Sequence, residues 1–352
     1  MKRIFKSLIK LSFPVFFVFF FSFSSDAGLL KRPLSFQQIT PREGLSSEMV
    51  FAIAVQGEEL WFGTYSGGAT LYDPSKKICR AYTTKGEPMD KVDKGVSINW
   101  QNLLPYNHVA VILPDTDRVW FGTYFYGFGG GGISYYDPRR TPPWKKFTTN
   151  DGRAKKVNSM ALDGDWVWVG SEKGLSLLDK KSEGWKRFYS TEDGLSGNFV
   201  NSLLVQSSFL WAGTTGGISR FDKVKKTWKN YSQREGLTET EIKSLADTGQ
   251  TLWAGGTGGT LFQYDPLSDR WNKIEPTDSL KGGGIHSIVA AKEKVFVCRD
   301  NGVSIYDLPM KQWESLTVSD GLLSNAVFCA AEDKNSIWFG TDKGVSRLVL
   351  RE

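Results

Sequence analysis

Residues 210–222 read LWAGTTGGISRFD. An apolar-aromatic pair, a glycine, a tight polar turn and a second alternating run ending in an aromatic and Asp describe two short antiparallel strands. The same phrase recurs six times. It stands as LWFGTYSGGATLYD from Leu60, VWFGTYFYGFGGGGISYYD from Val119 and VWVGSEKGLSLLD from Val167. It returns as LWAGGTGGTLFQYD from Leu252, VFVCRDNGVSIYD from Val295 and IWFGTDKGVSRLV from Ile337. Its anchoring aromatics are Trp61, Trp120, Trp168, Trp211, Trp253, Phe296 and Trp338, spaced by 59, 48, 43, 42, 43 and 42 residues.

Working outward from the phrase, each unit carries four strands. An apolar run precedes the anchor, as in VNSLLVQ from Val200, and an aromatic follows the second strand's Asp at Trp144, Trp185, Trp228, Trp271 or Trp313. Nine residues before the anchor stands a small residue, Ala52, Ser159, Ser202, Ser244, Ser287 or Cys329, with Ala110 displaced by one in the second unit. Inner strands that crowd round an axis favour small side chains. Seven such units predict an all-β fold, a seven-bladed β-propeller of four-stranded antiparallel blades.

The last unit stops after its third strand, and the missing outer strand lies at the other end of the chain. In SFQQITPREGLSS from Ser35, Phe36 precedes Gly44 by eight residues, the spacing of Trp144 to Gly152, Trp228 to Gly236 and Trp313 to Gly321. Residues 34–40 are therefore expected to pair near Gly344–Leu350 and close the ring, removing its exposed edges.

The pattern L-W-x-G-T-x-x-G-[LIV]-S-x-[YF]-D, followed by W-x-x-Y/F-x-x-x-D-G-L-S, resembles the two-component regulator propeller repeat. Trp61-Phe62-Gly63-Thr64, Trp211-Ala212-Gly213-Thr214 and Trp338-Phe339-Gly340-Thr341 carry the likeness. The resemblance implies the ligand-sensing propeller that such systems place outside the cytoplasmic membrane, ahead of a histidine kinase. No immunoglobulin-like module, membrane helix or kinase follows Glu352 in this sequence, so the expectation is the sensing half alone.

Residues 1–27 read as a secretory signal peptide, with Lys2, Arg3, Lys6 and Lys10 before an apolar core and Ser25-Asp26-Ala27 at the cleavage site. Residues 28–352 are the propeller. Cleavage removes four basic groups and one acid, lowering the net charge from +6 to +3. That balance, with export, argues against a nucleic-acid partner. A periplasmic or secreted monomer is expected, touching a membrane at most peripherally. Cys79, Cys298 and Cys329 have no metal-like spacing and read as small buried strand residues.

No catalytic constellation, cofactor motif or metal motif appears. His108 and His286 are the two histidines, and neither lies in a triad-like or metal-like neighbourhood. The recurrent acids of the D-G-L-S loops read as turn formers. Whether the protein is an enzyme is left open, with a non-catalytic role favoured.

Binding is read from the loops that depart from the repeat. The turn after the second strand and the connection into the next blade share one face of the disc. Both departures fall there: the run FGTYFYGFGGGGISYYDP at 121–138, about six residues longer than its counterparts, and the connection 86–106. No helix follows GFGGGG, which excludes a phosphate loop. Trp100, Tyr124 and Tyr126 are thus expected to form an aromatic lip, with Asn201, Lys243, His286 and Arg299 facing the same mouth and Asp342 a further candidate. The opposite face is read as a basic rim, from Lys76-Lys77, Arg139-Arg140, Lys180-Lys181, Lys223, Lys225-Lys226 and Lys311. The functional expectation is an exported, non-catalytic binding or sensor-type propeller recognising a small molecule, glycan or protein segment. The alternatives are a scaffold for cell-envelope proteins and, less favoured, a propeller lyase or hydrolase.

Overall fold

The computed structural model describes residues 30, 34–84, 104–124, 131–149, 151–278, 280 and 282–350; residues 1–27, expected from the sequence to be a signal peptide, lie outside them. Seven four-stranded antiparallel sheets form the predicted propeller. Blades 1 to 7 occupy residues 50–82, 109–147, 157–189, 200–231, 242–274, 285–316 and 327–349. Strands a to d of each blade run from the axis to the rim in chain order. Blade 7 takes its strand d from Ser35–Ile39, which pairs with Gly344–Val349 in the register Ser35↔Val349 to Ile39↔Val345. The ring is closed as the spacing of Phe36 and Gly44 predicts.

The core is divided into seven clusters, and each joins two consecutive blades. A sheet with both faces covered must bury both, so the repeated aromatic anchor serves as a wedge. Trp61 lies in the cluster of blades 1 and 2, 5.0 Å from the ring of Phe121. Trp338 packs across the closure seam against Phe62 and Tyr72. The indole of Trp120, Trp168, Trp211 and Trp338 donates to the residue five positions earlier: Asp115, Asp163, Gln206 and Asp333. The same tryptophan thus packs sideways and fastens its own a–b turn.

The glycine after the anchor is dictated by close approach. A Cβ at Gly63 would lie 2.8 Å from Val109, and one at Gly255 2.7 Å from Ile285, each the first residue of the next inner strand. Blade 6 has Cys298 there, buried beside Val303 and Val327. The small-residue column holds with one correction. Val111, not Ala110, pairs with Gly122 as Ala52 pairs with Gly63, so the register of blade 2 is not displaced. Two serines of this column stitch blades together: Ser202 Oγ accepts from Leu245 N at 3.0 Å, and Ser244 Oγ from Ile288 N at 2.9 Å.

The D-G-L-S loops are turn chemistry, as read. Asp193, Glu235, Asp320 and Glu43 each accept the backbone N–H three residues earlier, at 2.8 to 3.0 Å. Each following leucine, Leu195, Leu237, Leu322 and Leu45, is buried. All three cysteines are buried and free. Among the described residues, no helix is long and apolar enough to cross a membrane.

Candidate functional site at the channel mouth

In every blade the pairing of strand a with strand b slips at one place, skipping one residue of strand a. The skipped residues are Phe51, Ala110, Asn158, Asn201, Lys243, His286 and Phe328, at the same end of each inner strand. A bulge residue leaves the ladder, and its side chain is re-aimed. Here the direction repeats in five of the seven: the side chains of Asn158, Asn201, His286, Phe328 and Phe51 each meet a partner in the following blade. Asn158 Nδ2 donates to Val200 O at 3.4 Å, and Asn201 Nδ2 to Ile242 O at 3.1 Å. The ring of His286 lies 5.1 Å from Phe328, Phe328 4.7 Å from Phe51, and Phe51 5.2 Å from His108 of blade 2.

A second tier sits above the first, made by the opening residue of each b–c turn: Tyr65, Tyr124, Glu172, Thr215, Thr257, Asp300 and Asp342. Backbone bonds hold these turns over the start of strand a, as in Tyr65 N→Met49 O at 3.0 Å and Tyr124 N→His108 O at 2.9 Å. Thr257 N→Glu241 O at 3.0 Å and Asp300 N→Gly284 O at 3.3 Å repeat the arrangement.

The two tiers divide by chemistry. Blades 7, 1 and 2 give an aromatic arc, Phe328, Phe51, Tyr65, His108 and Tyr124, in continuous ring contact. Burial pushes the His108 imidazole down to about 4, so at neutral pH it joins the arc uncharged. Blades 3 to 6 give a polar arc, Asn158, Glu172, Asn201, Lys243, His286 and Asp300. Its His286 Nε2 lies 2.6 Å from Asp300 Oδ1, and Asp300 Oδ2 accepts Gly284 N at 2.9 Å. At the junction of the arcs the Tyr124 hydroxyl donates to Glu172, and Lys156 pairs with Glu172 at 2.8 Å while lying 5.5 Å from the Tyr124 ring.

Four of the expected site residues therefore share the mouth, Tyr124, Asn201, Lys243 and His286, and Asp342, the further candidate, joins them as the opening residue of the b–c turn in blade 7. Trp100 and Tyr126, with most of both enlarged loops, lie outside the described residues. Arg299 stands near the mouth but is spent on the fold. It is fully buried, donating to Ser304 Oγ and to the carbonyls of Gly259, Gly282 and Gly283. Burial lowers its pKa, while the charge of buried Asp278 opposes that shift. Threonine holds this position in four blades and closes its own turn, as Thr341 Oγ1→Gly344 O does at 2.8 Å.

Phe51, Phe328 and Tyr65 were not foreseen as site residues. A signal for the first two exists: the bulge column is the tenth residue before the anchor in every unit. Its residue types vary from blade to blade, which hid it from a search for repetition.

The opposite face is less basic than its lysines suggest. Lys180 pairs with Asp115 of the preceding blade at 2.9 Å, and Lys223 with Asp163 at 2.7 Å. Arg139 is held by Asp117 and Asp137. A cavity of ≈ 420 Å³ opens there, lined by residues including Asp247, Gln250, Lys292, Lys294 and Glu332. Its charges are also matched, Lys292 with Glu332 at 3.1 Å and Lys294 with Asp307. No group of three or more His, Cys, Asp or Glu able to hold a metal ion occurs among the described residues.

No family model matches the chain, and no curated protein matches it. Solved structures do. The extracellular domain of the B. thetaiotaomicron hybrid two-component system BT3049 superposes with a TM-score of 0.71 at 18% identity, over 90% of this chain and 42% of that one. That of BT4673 gives 0.66 at 21% identity, over 89% and 39%. The chain thus spans about two-fifths of those structures. A catalytically inactive histidine-to-alanine variant of Staphylococcus aureus virginiamycin B lyase, crystallised with quinupristin, gives 0.68 at 12% identity, over 90% of this chain and all of that one. At these identities the likeness is one of fold.

Proposed function

We propose that this chain is an exported, non-catalytic recognition module, periplasmic or secreted and monomeric, that binds a small molecule or glycan at the mouth built by the two tiers. One observation carries the reading: an aromatic arc from blades 7, 1 and 2 faces a polar arc from blades 3 to 6 across the same opening. Flat apolar faces opposite hydrogen-bonding groups suit a ring with one apolar face and polar edges, the general build of small-ligand sites. The leader-like residues 1–27 support export, and the fold shared with extracellular sensor domains is consistent with it.

The test is a thermal-shift screen of glycans and metabolites on the mature chain, followed by calorimetry on Phe51→Ala and Tyr124→Ala. A ligand whose affinity falls at least roughly tenfold in both variants supports the mouth. A ligand bound equally by wild type and both variants places recognition elsewhere.

A second reading is favoured by one contact. The imidazole of His286 and the carboxylate of Asp300 are in hydrogen-bond reach and partly exposed, which is the inventory of a general base with its orienting acid. Turnover of any mouth ligand by wild type, abolished in His286→Ala, would replace the binding role with a lyase or hydrolase.

A further inference from the structure

We propose that Lys243 anchors the carboxylate of a small ring-shaped ligand whose flat face rests on the Phe328–Phe51 stack. The inference rests on the mouth being the binding site and adds the charge of what binds there. Five of the seven bulge residues, Asn158, Asn201, His286, Phe328 and Phe51, meet a partner in the following blade, and Ala110 is too short to do so. Lys243 is the exception. It sits half-buried between Asn201 and His286 in the ring, and its ammonium makes no hydrogen bond, ion pair or cation–π contact among the described residues.

The nearby carboxylates have other work. Glu239 accepts from Gly258 N, from Thr260 N at 3.3 Å and from Thr257 Oγ1 at 3.3 Å. Asp300 is engaged by His286 and Gly284 N. Glu241, exposed beside strand a, supports the charge of Lys243 only through its field. Burial of the ammonium is the larger influence and lowers its pKa. A half-buried ammonium without an acceptor is costly, and an incoming anion removes that cost while gaining a charge-assisted bond.

Geometry sets the rest of the ligand. His286 stands one blade on from Lys243, and its ring meets Phe328 edge to face, at 83°. Phe328 then stacks on Phe51 with an angle of 12° between the rings. Along the ring of blades the order is therefore cation, imidazole, apolar platform. A carboxylate carried directly on a six-membered ring matches that order, and both aromatic acids and sugar acids have this form.

Calorimetry on the mature chain with two acid and neutral pairs, benzoate with benzyl alcohol and galacturonate with galactose, tests the assignment and separates the two sources. The expected result is one acid bound at least roughly tenfold tighter than its neutral partner. That preference should vanish in Lys243→Met and persist in Lys243→Arg, with circular dichroism confirming that each variant is folded. Equal binding of acid and neutral forms, a preference that survives Lys243→Met, or no binding of either acid at 10-millimolar concentration overturns it. Neutral ligands that bind in a Phe51- and Tyr124-dependent way would leave the mouth standing and remove the anion alone.

Discussion

The rings of Phe51 and Phe328 lie 4.7 Å apart and 12° from parallel, joining the first blade of the propeller to the last. Both are bulge residues, and both are only partly covered. Their stack spans the seam at the mouth, while Trp338 and the terminal strand fasten the same seam farther out. Truncating Phe328 to alanine should cost about 0.5–1.5 kcal/mol beyond its lost buried area. A double-mutant cycle with Phe51→Ala, read by urea unfolding, should recover a coupling energy of that size. Coupling near zero would mean the rings are merely adjacent.

The closure strand gives a sharper contrast. Ile39 is buried in the cluster shared by blades 7 and 1, whereas Gln38, its neighbour, is exposed. Ile39→Ala should destabilise by about 2–4 kcal/mol, and Gln38→Ala by less than about 0.5 kcal/mol. Denaturant melts of the two variants check the claim. Similar midpoints would show that the terminal strand contributes little to closing the ring.

Acid should loosen the rim and the mouth together. Burial opposes ionisation of Glu183, yet Lys145, Tyr135 and Arg140 hold it at about 2. Asp269, clasped by Lys229, Tyr231, Tyr264 and Arg220, is also held at about 2. A carboxyl depressed in the native state binds fewer protons there than in the unfolded chain. Its contribution is therefore full above the ordinary carboxylate range and lost as pH falls toward 2. His108, depressed to about 4, acts in the same direction over the window from about 6.5 down to 4. Tm should fall continuously from pH 7 to pH 3, and His108→Gln should remove part of the upper portion of that decline. A flat Tm between pH 6.5 and 4 in wild type would contradict the His108 contribution.

The three thiols should be silent in the native protein. Burial pushes Cys79 up to about 11, Cys329 up to about 12 and Cys298 well above its usual value. Thiolate is the reactive form, so a chromogenic disulfide reagent at pH 8 should titrate none of the three until denaturant is added. Rapid native labelling of any one would mean that its blade interface opens.

Much of the architecture is legible in the sequence because propeller geometry repeats its demands. The anchor must wedge into the next blade, so Trp61 and Trp211 recur in the same phrase. The close approach at Gly63 and Gly255 forbids a side chain, so glycine recurs as well. The acid of Asp193 or Glu235 caps a turn needed by every blade. The mouth obeys the opposite logic. Its backbone bulge repeats, but nothing in the fold specifies what the bulged side chain should be, so Phe51, Asn201 and Lys243 share a position without sharing a chemistry. The periodicity that identifies the blade therefore conceals the site. Arg299 shows the converse: a departure from the repeat that stands out in the sequence and is consumed by holding three carbonyls of neighbouring loops.

The seven bulges have a consequence for inheritance and design. A residue outside the strand ladder can be exchanged without disturbing the main-chain bonds on either side, and the ring offers seven such seats at fixed angular intervals. With the mouth binding as proposed, preference would drift by single substitutions at 51, 110, 158, 201, 243, 286 and 328 while the strand ladders stay constant. A library confined to those codons would vary the proposed mouth while leaving the hydrogen-bonded strand ladders of all seven blades in place.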